Sequence, residues 1–294
     1  MSLFRHSLDP AEAQARPARP EDHGSLARLL AIGRRRFLGA PSAALPSLLG
    51  AEPGAALVSG AELWALAVCE RSAPETAWLR ALAMADLLPA EAGLDALLAA
   101  YHAELRGAGV RRAFFSGNDA ADAWLRLALL QRGYARHTEV VVYEKIRMNA
   151  PTAGNPSVSV RRAAPADLPA ILALDAACFE AQWHKDKQAI GPALASSPCF
   201  LVAEQARTPV GYAFVTSHYE GRLVHLVRIA VLPAHQGQGV GARLLAEVVG
   251  FARSSGADTL TLNTQSDNHT ARRLYEHFGF RRTGERQTVL VFEL

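Results

Sequence analysis

Cysteine is scarce in this chain: Cys69, Cys178 and Cys199 are the three in 294 residues, isolated and odd in number. They make neither the paired spacing of a zinc site nor a disulfide framework, so no metal is expected, and they suit a reducing compartment. A surplus of one charge is missing too. The net charge is +3, and the basic side is almost all arginine. Such a balance is too small to imply a nucleic-acid partner and suits an anionic small ligand. No run of about 18 apolar residues occurs, which removes a membrane-spanning helix. Residues 1–22 carry Arg5 but no apolar stretch of the leader type. The expectation is a cytoplasmic protein with neither membrane nor nucleic acid as partner; the composition says nothing of oligomeric state. What the chain does have is core-forming material: 50% of its residues are apolar and 20% charged, which excludes a disordered chain, and its length allows two domains of ordinary size.

The most informative stretch is Gln236-Gly-Gln-Gly-Val-Gly241. Before it lies an apolar strand, Leu223–Leu232, and after it a helix, Ala242–Ser254, whose Leu244, Leu245, Val248, Val249 and Ala252 recur at helical spacing. Glycine in a helix is about 1 kcal/mol worse than alanine, so Gly239 and Gly241 at the start of a good helix need a reason. A missing Cβ lets a ligand touch the main chain, and the free N–H groups of a helix start attract an anion. The stretch reads as a pyrophosphate cradle. It is neither of the commoner phosphate loops, because no Lys-Ser/Thr follows the glycines and the third glycine comes too early for a dinucleotide fingerprint. On the glycine spacing alone, a flexible turn stays open as the alternative.

The chain also repeats itself. Arg16-Pro-Ala-Arg-Pro-Glu-Asp22 recurs as Arg161-Arg-Ala-Ala-Pro-Ala-Asp167, Leu88-Pro-Ala as Leu232-Pro-Ala, and Gly133-Tyr134 as Gly279-Phe280, at offsets of 145, 144 and 146 residues. A period that long means two copies of one domain. The expected division is 1–148 for the first copy, a turn-rich linker at 149–157 and 158–294 for the second. In the first copy the positions answering to Gln236, Gly237, Gly239 and Gly241 are Ala92, Gly93, Asp95 and Leu97, and those answering to Tyr275 and Asn268 are Leu129 and Asp122. An aspartate would repel phosphates and a leucine would fill the space the main chain needs. The first copy is therefore expected to keep the fold without cofactor binding; a different acyl carrier in the same cleft is the alternative. Trp64, Trp78 and Trp124 are expected in its packing.

The stretch Val231-Leu-Pro-Ala-His-Gln-Gly-Gln-Gly-Val-Gly-Ala-Arg-Leu-Leu245, followed by Asn268-x-x-Ala271-x-x-Leu274-Tyr275-Glu276-x-x-Gly279-Phe280, resembles the GNAT superfamily of acyl-coenzyme-A-dependent N-acyltransferases. The resemblance implies an α/β (α+β) fold of two GNAT-type domains, each a mixed, mostly antiparallel sheet flanked by helices. The two-copy layout is similar to that of mycothiol synthase. It implies acetyl-CoA as acyl donor without a metal, bound by Gln236, Gly237, Gln238, Gly239, Val240, Gly241 and Ala242 in the loop. Main-chain groups of Ile229, Ala230 and Val231 would meet the pantetheine and acyl carbonyl, with Asn268 and Ala271 along the coenzyme arm. Helix capping is the alternative for Asn268. Tyr275 is the expected general acid, with Leu274 and Phe278 turned to the core; a plain apolar contact is its alternative.

His225 is the expected base, on the face of Ile229 and Val231 unless a bulge intervenes, and a merely structural histidine is its alternative. His218 and Glu220 stand behind it. By the same resemblance Trp183 and His184 would line the acceptor and Glu180 would meet its ammonium, the acceptor being a small amine metabolite, an antibiotic-like amine or a peptide N-terminus; plain packing between helices and solvent contact are the alternative for each of the three. The expected activity is direct acetyl transfer to that amine in a ternary complex. A non-catalytic acyl-CoA sensor or scaffold is the alternative from another class.

Overall fold

In the computed structural model, described from Leu8 to Leu294, the chain forms two compact units. One comprises the residues up to His137 together with Gln287–Leu294, the other Thr138–Arg286. The leader reading falls partly on residues 1–7, outside the described residues. Among the described residues no helix is long and apolar enough to cross a membrane.

The first unit contains β1 (Gln14–Pro17), α1 (His23–Ile32), β2 (Arg35–Leu38), α2 (Leu45–Ala51), β3 (Gly54–Ser59), β4 (Glu62–Ala73), β5 (Thr76–Met84), α3 (Ala90–Gly107), β6 (Arg112–Asn118) and α4 (Ala123–Leu130). Its sheet runs β1-β3-β4-β5-β6 and ends on Gln287–Glu293, antiparallel throughout except for β5 and β6. One face packs under α3 and α4 through Leu97, Tyr101, Leu125 and Leu129, the other under α1 and α2 through Leu26, Leu45 and Leu49. Trp64 and Trp78 are buried and Trp124 packs against the core, as packing residues should.

The rest of the chain supplies β7 (Ala135–Lys145), β8 (Ser159–Arg162), α5 (Leu168–Cys178), α6 (Lys187–Ser196), β9 (Cys199–Gln205), β10 (Thr208–His218), β11 (Leu223–Val231), α7 (Val240–Ser254), β12 (Thr259–Gln265), α8 (His269–His277) and β13 (Arg281–Glu293). In the second unit the sheet order is β7-β12-β11-β10-β9-β8, and the one parallel pair is β11 with β12. Strand alternation sends Ala213 and Val215 of β10 under α7 and α8, and Tyr212 and Phe214 under α5 and α6. The mixed, mainly antiparallel α/β architecture agrees with expectation.

The expected cut at 149–157 does not coincide with the compact units. β7 pairs with β12 from Lys145↔Leu260 to Gln265↔Val140 and buries Val141 and Tyr143 in the second unit's core. The closing residues Gln287–Glu293 pair with β6 and bury Leu290 in the first. Each unit thus takes the closing strand of the other copy's sequence, and residues 149–157 connect two strands of one unit. The apolar pattern of 138–146 requires a sheet to cover it but carries no mark of which sheet.

Candidate active site

The site begins with a gap in the second sheet. β11 keeps its parallel partner β12 only over Leu223–Leu226, so its remaining residues face an open edge. The bond from Leu232 N–H to the Val210 carbonyl sets the phase of the β10–β11 ladder. Residues 228 and 230 then direct their main-chain groups at β10, while Ile229 and Val231 direct theirs into the gap. The Gln236 side chain reaches back to the Val231 carbonyl at 3.0 Å, from the gap side. Ala230, expected beside them, spends its main-chain groups on β10.

After one 3-10 turn at Pro233–His235 comes the glycine loop. Gly239 caps α7 in the left-handed conformation at φ 78°, a geometry that favours glycine. α7 begins at Val240, two residues before the expected start, and the buried Val240 side chain pins the loop to the core. Gly241 brings α8 close, since a Cβ there would sit 3.3 Å from Leu274 Cδ2. Among the described residues, no N–H from Gly237 through Ala242 donates to a protein acceptor; the first helical bond is Arg243 N–H to the Gly239 carbonyl. Such a run of unspent donors at the positive end of a helix is an anion site.

On α8, Asn268 is the N-cap: its Oδ1 accepts the Ala271 N–H at 3.0 Å. The capping alternative holds for the oxygen, and it uses the Ala271 main chain, while the Asn268 amide N–H groups have no protein partner among the described residues. Tyr275 lies 4% exposed in the core between Tyr143 and Phe280; Phe278 is buried there as expected, while Leu274 is only half-buried at the edge of the same core. The tyrosine ring, with its larger apolar face, takes the core position. Burial pushes the Tyr275 phenol well above its ordinary value, and its hydroxyl has no hydrogen-bond partner among the described residues.

A bulge does intervene in β11, at Val227, where Phe214 pairs with Arg228 but Val215 with Leu226. Val224, Leu226, Ile229 and Val231 consequently share one core, and His225 points to the opposite face, toward Thr216 and Thr261. His225 Nδ1 bonds Thr261 Oγ1 at 2.9 Å. Burial, helped by nearby His218, lowers its pKa below the ordinary value, which keeps the ring neutral at pH 7. No group of three or more His, Cys, Asp or Glu side chains among the described residues is placed to hold a metal ion.

Residues 168–280 match the family model described as Acetyltransferase (GNAT) family. The second unit therefore carries a GNAT-family domain. N-alpha-acetyltransferase RimI of Mycobacterium tuberculosis is 38% identical over 95 residues, 30% of this chain and 55% of that protein. A GCN5-related N-acetyltransferase from Sphaerobacter thermophilus superposes with a TM-score of 0.63 at 18% identity, covering 97% of each chain. A tandem GNAT protein from the clavulanic acid biosynthesis pathway superposes with a TM-score of 0.61 at 14% identity, over 96% of this chain and 98% of its own. At those identities the likeness is one of fold, and it extends over both units. The first curated relatives it matches are spanned over 38, 55 and 45% of their own length.

The segment that would form the acceptor wall in this GNAT domain, Phe179–Lys185, is fastened by a residue that sequence reasoning missed. Arg228 bonds Asp175 at 2.9 and 3.0 Å and the Trp183 carbonyl at 2.6 Å, and its guanidinium lies 3.4 Å over the Phe179 ring. The Tyr212 hydroxyl closes the set on Asp175. Asp175 is 1% exposed, and losing one partner of such a pair costs about 3–5 kcal/mol. The available signal was an arginine inside an apolar strand and an aspartate inside an apolar helix, which only make sense as a pair. His184 donates from Nε2 to the Phe179 carbonyl at 2.8 Å, so it braces its own loop, whereas Glu180 is exposed and accepts from Gln182 at 2.6 Å. Cys178 also comes to the gap, its sulfur at the Val231 N–H; burial and the Asp175 carboxylate push its thiol up to about 11.

The first unit has the same gap and covers it. β5 keeps β6 only over Thr76–Trp78. β4 occupies one edge of β5 along its length, so β2, paired over Ala81–Met84, must lie on the other, where the gap would be. The Gly39 N–H to Arg80 carbonyl bond extends the seal. α3 starts at Ala90, directly after Pro89, so no glycine loop exists; Ala92, Gly93, Asp95 and Leu97 lie within the helix. Asp95 is paired with Arg132 at 2.6 Å and Leu97 is core.

Proposed function

We propose that the second unit binds acetyl-CoA and transfers its acetyl group to a primary amine by direct attack, both substrates being held together. The observation that carries this reading is the run of unspent N–H groups from Gly237 to Ala242 beside the open edge of β11. Bound there, acetyl-CoA supplies the activated thioester. The loop N–H groups hold the pyrophosphate, and main-chain groups of Ile229 and Val231 line the arm. Tyr275, held protonated by burial, gives the proton needed by the departing thiolate. His225, held neutral, receives the proton of the amine on the face that Phe179–Lys185 borders, and exposed Glu180 attracts the ammonium. An alkylammonium has a pKa of about 10.4, so the site must remove that proton before attack. A thiol pushed up to about 11 is a poor nucleophile, which favours direct transfer over an acyl-Cys178 intermediate. The first unit is a non-binding copy, because β2 takes the main-chain edge a coenzyme would need. The acceptor is a small amine metabolite, an antibiotic-like amine or a peptide N-terminus.

Titration calorimetry with acetyl-CoA on the full chain tests this reading. One site per chain is expected, weakened about 100-fold or more in Gly239→Asp, which combines a left-handed backbone with a carboxylate facing the anion. Two sites per chain would overturn the non-binding first unit, and no binding would remove the acetyl-CoA reading.

A further inference from the structure

The segment between β7 and β8 lies folded against the glycine loop. Asn155 is its centre: Oδ1 accepts the Ser157 N–H at 2.9 Å and the Ser157 hydroxyl at 2.7 Å. Its Nδ2 donates to the Gln238 carbonyl at 2.8 Å, and its main-chain N–H to the Gly239 carbonyl at 3.4 Å. Gly154 comes closer still. It has φ 75°, and a Cβ on it would stand 2.3 Å from Arg243 N and 2.6 Å from Arg243 Cα, so only glycine brings the strap this near the first turn of α7.

Both bonds from Asn155 to the loop go to carbonyls, and neither takes a loop N–H. Within one planar trans peptide the carbonyl and the following N–H point in opposite directions. Holding the Gln238 and Gly239 carbonyls therefore aims the Gly239 and Val240 N–H groups away from the strap. Gly237 and Gly239 would otherwise let these peptides turn freely, and ordering them on binding would cost affinity. Resting on the coenzyme reading above, we infer that Asn155 is a positioning residue: with Gly154 it straps the loop so that its N–H groups are presented to the coenzyme's pyrophosphate before binding.

The test is titration of coenzyme A into the full chain and into Asn155→Ala and Asn155→Asp, with thermal unfolding followed alongside. Loss of one such bond and of the ordering it provides should weaken coenzyme A about five- to ten-fold in Asn155→Ala. Asn155→Asp keeps the Ser157 bonds, loses the donor to Gln238 and adds a negative charge. It should weaken binding further, with the excess over Asn155→Ala shrinking at high salt, which a merely structural role would not produce. If Asn155→Ala lowers the unfolding temperature, Asn155→Asp carries the comparison. Affinity within two-fold of the parent, or tighter binding that would make the strap a competitor, overturns the inference. Absence of coenzyme A binding by the parent chain overturns the coenzyme reading itself, and this inference with it.

Discussion

Both units part their sheets at the single parallel pair, but they treat the opening differently. In the second, β11 loses β12 after Leu226 and presents Ile229 and Val231 to a free edge, with a glycine loop at its end. In the first, β5 loses β6 after Trp78 and β2 lies along the remainder, anchored by Phe37, which is 2% exposed and packs its ring, tilted by 54°, 4.9 Å from that of Phe115. The connection between the first two helices makes the difference: one copy folds it into the gap as a strand, the other clamps it aside through Arg228. A cleft can thus be lost by being filled, independently of the residues that would have lined it. Asp95 and Leu97, read from the sequence as disabling, are a surface ion pair and a core residue of a helix that begins too early to leave a loop.

The largest test of this contrast is a cut. A fragment starting at Asn155 lacks β7 with Val141 and Tyr143, and half of the strap, so it should neither unfold cooperatively nor bind acetyl-CoA. Thr138–Arg286 should do both, by circular dichroism melting and calorimetry. The outcome would speak against a boundary at 149–157, the division expected from the sequence. Next, Phe37→Ala should lower stability by about 3–5 kcal/mol in denaturant unfolding, as buried Phe truncations do. It should create no second acetyl-CoA site, because Pro89 still leads straight into α3.

In the open copy, Tyr275→Phe should reduce kcat about 100-fold with acetyl-CoA affinity and melting temperature retained, since the hydroxyl has no internal partner to lose. The smallest effect is on pH. His102 of the closed copy is buried against Tyr134 and Phe292, and burial lowers its pKa from 6.5 to about 4. Between those values the unfolded chain binds the extra proton, so the contribution is complete above pH 6.5 and falls as pH drops toward 4, by about 2 kcal/mol at pH 5. His102→Gln keeps a partner for Tyr134 and should flatten that slope in pH-dependent unfolding.

Much of the second unit was legible. The apolar residues of α7 recur at 240, 244, 245, 248, 249 and 252, so this helix stands within two residues of its expected bounds. The loop was legible because its chemistry depends on backbone, which glycine spacing reports. β2 was not, since four residues with one buried side chain carry no periodicity. Nor was the face of His225. β11 is apolar on both sides, so its pattern cannot reveal a bulge at Val227, and the bulge turns every residue before it to the other face.

By itself the sequence determined two copies of one fold, the family of the second, and the glycine loop that opens α7, because these rest on local backbone requirements and on core periodicity. Tertiary structure alone decided which closing strand completes which sheet, which gap stays open, and that residues 149–157 brace the loop. Those outcomes depend on pairing between segments far apart in the chain. An apolar strand fits any sheet with a free edge, and only the packed core selects among them.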